Sequence, residues 1–155
     1  MSTDVLVTDV QRELAAAQAD LAALDSAVGT VEEQLDRAQQ YAGELHEVHA
    51  RLSTELVEAQ AVATNLASTN AAVDVALERY YATLLPLQAM VSEVGRADGL
   101  VAQTGKRLEV LREHQRRATA RVADLEANQA AERESFSSAS ADLRLRLGRL
   151  RERIR

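Results

Sequence analysis

The sequence predicts an all-α fold, a long coiled-coil helical hairpin of two antiparallel helices. Three observations carry that expectation: an unbroken heptad pattern, one segment of turn chemistry, and opposite net charge on the two sides of it.

The helices come first from composition. Apolar residues make up 46% of the 155 and charged residues 27%, an ordinary globular balance. The apolar set is almost all Ala, Leu and Val, with one Phe, three Tyr and no Trp, which suits thin seams between helices better than a thick core. One Pro and six Gly are too few breakers for an all-β or α/β chain.

The heptads set the first element. Every seventh residue from Val7 to Val91, with every seventh from Val10 to Val94, gives 26 seam positions, of which 24 are Ala, Val, Leu or Tyr. A composition of 46% apolar would give about 12 by chance. Loops are not held to multiples of seven, so an unshifted phase predicts one continuous acidic helix over residues 4–94. Gly29 is the first candidate for a further break, because Thr30-Val31-Glu32-Glu33 after it reads as a capping box. The low-propensity cluster Ser68-Thr69-Asn70 is a second, and Pro86 must at least kink the helix.

The turn is placed at residues 95–99, where two glycines stand four apart. Beyond it a stripe in a new phase, through Val101, Leu108, Leu111, Ala118, Val122, Leu125, Phe136 and Leu143, predicts a basic helix over residues 100–155. Folding about Ala97 sets Ala59 opposite Phe136. Residues 1–95 hold 4 basic and 15 acidic groups, net −11, whereas residues 96–155 hold 14 and 9, net +5. Opposite signs favour pairing of the two arms within a single domain of residues 1–155.

Catalytic and metal chemistry find little support. Without Cys there are no disulfides, thiolate metal sites or cysteine nucleophiles. His46 and His49 are three apart, one short of the spacing that aims two imidazoles at one zinc, and His49 falls on the seam. The stretch from Gly99 to Lys106 has the wrong glycine spacing for a phosphate loop, with Arg107 where Ser or Thr should stand. No catalytic residue, metal, cofactor or small-molecule substrate is therefore expected. The start lacks a basic, apolar leader and no run reaches about 18 apolar residues, so a cytoplasmic protein is expected.

Three surfaces are candidates for partners. A second helix folded back from residue 99 reaches only to about residue 42, so Leu14, Leu21, Leu24 and Leu35 would need another chain, most simply a second copy forming a dimer. Asn70, a polar residue on the seam, would fix register in such an assembly. Tyr80, Tyr81, Leu85, Pro86 and Met90, in the most apolar stretch, form a candidate docking patch. At the C-terminus Leu143, Leu147, Leu150 and Ile154 share one face, while Arg144, Arg146, Arg149, Arg151, Arg153 and Arg155 crowd the remainder. The simplest reading is that these leucines finish the hairpin seam and the arginines face the acidic arm. An anionic membrane surface is the next, and nucleic acid is disfavoured by a net charge of −6. The function expected is that of a non-enzymatic structural or adaptor protein acting through coiled-coil contacts with protein partners. The alternative is a peripheral membrane-surface or nucleic-acid binder using the arginine-rich helix.

Overall fold

The computed structural model describes residues 2–69 and 73–154, with side chains over residues 9–67 and 73–153. All of the described residues are helical: α1 spans Ser2–Thr69 and α2 spans Val73–Ile154, and the two pack against each other as an all-α hairpin.

The seam on α1 follows the heptads closely. None of the positions at every seventh residue from Leu14 to Ala63, or from Val10 to Leu66, is exposed. The chain divides into two compact units, residues 29–110 and residues 1–28 with 111–155. In the first, Val31, Ala38, Ala42 and Ala59 of α1 and Ala76, Ala97 and Leu108 of α2 are buried. Alanine dominates, the volume expected where two helices meet with nothing behind them. In the second unit Leu14, Ala17 and Val122 form a small core, with Leu21 and Leu125 packed on it. Here the Gln18 amide donates to the Glu126 carboxylate at 3.3 Å and the Gln115 amide to Asp25 at 2.7 Å. Numbers that rise on α1 and fall on α2 make the helices antiparallel.

Two sequence expectations about the breaks are corrected. Residues 95–99 do not turn: they lie inside α2, and Ala97 between the glycines is only 3% exposed. The helices part instead between Thr69 and Val73, where the sequence has its low-propensity cluster Ser68-Thr69-Asn70. Nor does Gly29 break α1. The energetics favour this solution. Carrying Gly95 and Gly99 inside a helix costs about 1 kcal/mol each. A turn there, however, would expose Leu14, Leu21, Leu24 and Leu35, worth about 1.5–3 kcal/mol apiece. Both glycines also sit at exposed positions with nothing near a Cβ, so they cost no packing.

The later turn changes the partners. Phe136 does not meet Ala59: it is 65% exposed, and Ala59 lies in the other unit. The stripe of α2 is not a new phase beginning at residue 100. One row runs from Val73 through Tyr80, Leu87, Val94, Val101 and Leu108, and the other from Ala76 through Thr83, Met90, Ala97, Thr104 and Leu111. None of these residues is exposed. The charge contrast survives in weaker form, with 12 acidic and 3 basic residues on α1 against 12 and 14 on α2.

Candidate functional site

The residues that sequence reasoning singled out fall into four places. Leu14 is buried, and Leu21, Leu24 and Leu35 are half-buried, within the chain. For Leu14 and Leu21 the cover is α2, which packs here with Val122 and Leu125. The need for a second chain at this end, drawn from a short second helix, is thereby removed. Asn70 and Arg155 lie outside the described residues.

His46 finds a different neighbour from the one its spacing suggested. Its Nε2 lies 2.9 Å from an Asp98 carboxylate oxygen, in a pair whose side chains are about half exposed. Sequence separation of 52 residues hid this contact. An exposed pair of this kind contributes about 0–1 kcal/mol. Among the described residues no group of three or more His, Cys, Asp or Glu is placed to hold a metal ion.

The docking patch is split by the helix. Tyr80 and Met90 are half-buried toward the seam, whereas Tyr81, Leu85 and Pro86 face outward. The Tyr80 and Tyr81 rings meet edge to face at 5.5 Å, which holds the outer ring against the inner one. What the sequence missed is a second stripe beside the seam. Since Ala76, Thr83 and Met90 occupy the inner row, the residues one position later, Leu77, Leu84 and Val91, are displaced to its edge. Leu77 is 39% and Val91 56% exposed, Leu84 is half-buried, and Tyr81 at 56% extends the same face. The signal was in the sequence as apolar residues on two adjacent helical rows over residues 73–94. An open groove at its N-terminal end is lined by Gln60, Ala63, Thr64, Ala67, Val73, Leu77 and Tyr80. Charge is sparse here: Asp74, Glu78 and Arg79 are the only charged residues from 73 to 92.

The C-terminal arginine-rich helix is open, contrary to the expectation that its leucines finish the seam. Leu143, Leu147 and Leu150 are 52–60% exposed, and every residue from 141 to 153 is exposed. In the register set by Gln18 and Glu126, the residues after about 142 lie past Ser2, the first described residue of α1. Arg146 pairs with Asp142 on its own helix at 2.9 Å, not with α1. Arg146, Arg149 and Arg153 line one shallow groove beside Leu150. No helix among the described residues is long and apolar enough to cross a membrane. Comparison with family models, curated proteins and solved structures gave no match to this chain.

Proposed function

We propose that this chain is a non-enzymatic structural or adaptor protein that works through coiled-coil contacts, and that it self-associates through the second stripe of α2. The observation that carries the reading is the open row of Leu77, Leu84 and Val91 beside a seam that α1 already fills. A helix with two adjacent apolar rows suits an assembly of more than two helices, in which each row meets a different neighbour. Spacing and charge favour a second copy as that neighbour. Leu77 and Val91 stand seven residues on either side of Leu84, so an antiparallel pairing about Leu84 sets Leu77 against Val91 twice over. Such an interface is isologous and self-complementary. With so few charges between residues 73 and 92, like chains meet here without repulsion. The cytoplasm is the compartment this reading assumes.

Sedimentation equilibrium on the full chain tests it against the variant L77E/Y81E/V91E. These side chains are already 39–56% exposed, so the variant keeps its helix content. The expected result is a dimer for the native chain and a monomer for the variant. A native chain that stays monomeric, or a variant that dimerises equally well, would overturn the reading.

A further inference from the structure

The end of α2 carries a second surface whose partner differs from the first. With Gln18 opposite Glu126 in an antiparallel pair, Ser2 comes level with about residue 142, so the last dozen residues of α2 lie past the described residues of α1. Their apolar residues are arranged in a defined way. Phe136, Leu143 and Leu150 stand seven apart, as do Leu147 and Ile154, which gives alternating steps of four and three from Leu143 onward. At 100° per residue these five positions fall within about 60° of the helix circumference. That is the narrow stripe of a coiled-coil seam. A helix lying in a lipid surface presents a broader apolar face, and here Leu145, 64% exposed, lies on the opposite side. The positions flanking the stripe are Arg144 and Arg151 on one side and Arg146 and Arg153 on the other.

We infer that residues 143–154 are a docking helix for a helix of another protein that carries glutamate or aspartate beside its own apolar seam. The inference rests on the coiled-coil reading above and names a partner class for a different face. A second copy does not fit this end, because either orientation of self-pairing sets arginine against arginine at the flanks. The phosphates of a nucleic acid would satisfy the guanidinium groups and leave the leucine stripe in water. An acidic amphipathic helix covers both features at once, with Arg-carboxylate pairs along each edge of the buried stripe.

The test uses the full chain and a synthetic peptide of three heptads with Ile and Leu on its seam and Glu at every flanking position. A matched peptide with Lys at those positions, phosphatidylserine-containing vesicles and duplex DNA serve as competitors. The expected result is binding of the Glu peptide at least tenfold tighter than the Lys peptide, with the preference inverted in R144E/R146E/R151E/R153E. Thermal unfolding of that variant should match the native chain, since the four positions lie past the described residues of α1. Equal affinity for the two peptides, no binding of the Glu peptide, or retention on vesicles or DNA that the Glu peptide does not displace would each overturn the inference. Repeating the titration on L77E/Y81E/V91E separates the proposals. Loss of self-association with peptide binding intact supports both, and a native chain that is monomeric yet binds the peptide sinks only the self-association reading.

Discussion

Substituting Val31 with aspartate is expected to remove at least about 4 kcal/mol of stability, a large share of the roughly 5–15 kcal/mol of a typical domain. Val31 is 2% exposed, the lowest value in the core, and lies in the unit of residues 29–110. Its replacement loses the transfer energy of a buried valine, about 1.5–3 kcal/mol. It also buries a charge where, among the described residues, the core holds no buried polar or charged residue to receive it. Val31→Ala, which removes volume without charge, should cost about 1–2.5 kcal/mol. Far-UV circular dichroism against temperature reads both. A V31D chain that melts like the native one would mean that α2 does not cover this position.

Replacing Pro86 with alanine should act in the opposite direction and nearly as strongly. Pro86 stands inside α2, where it lacks the N–H that would donate to the Ala82 carbonyl and its ring crowds the preceding turn. The residue is exposed, so alanine loses no buried contact. The expected gain is about 2–3 kcal/mol, a rise in melting temperature of roughly 5–10 °C for a chain of this size. A loss of stability instead would show that proline is needed at this position to keep the flanking turns on the seam.

Much of the fold was legible because the seam of α1 has no competing pattern: from Val10 to Leu66 each position named by the heptads is turned inward. The turn was misplaced for a specific reason. Leu66 and Val73 stand seven residues apart, so the interruption between Thr69 and Val73 preserves the heptad phase and hides the change of helix. Gly95 and Gly99 gave a stronger local signal, yet at exposed positions they are tolerated. Local propensity lost to the burial available to a longer α2. The same substitution of one row for another concealed the second stripe. Ala76, Thr83 and Thr104 are small or polar and carry little weight in a search for apolar periodicity, although they lie on the inner row. The amphipathic end of α2 was visible in its leucines and arginines. Whether α1 covers it depended on where the chain reverses, which the residues at that end do not encode.

One distance reports where the chain reverses direction. Spin labels placed at residues 46 and 98 of the full chain, which has no native cysteine to interfere, report their separation by pulsed dipolar spectroscopy. With the helices parting between Thr69 and Val73, His46 and Asp98 face each other across the pair, and helix axes 8–10 Å apart give a label separation of roughly 10–20 Å. Were the turn at residues 95–99, residue 98 would lie in the turn at the far end of the helix that carries residue 46, roughly 70 Å away at 1.5 Å per residue. A short distance is the result this structure predicts, and a distance near the longer value would contradict it.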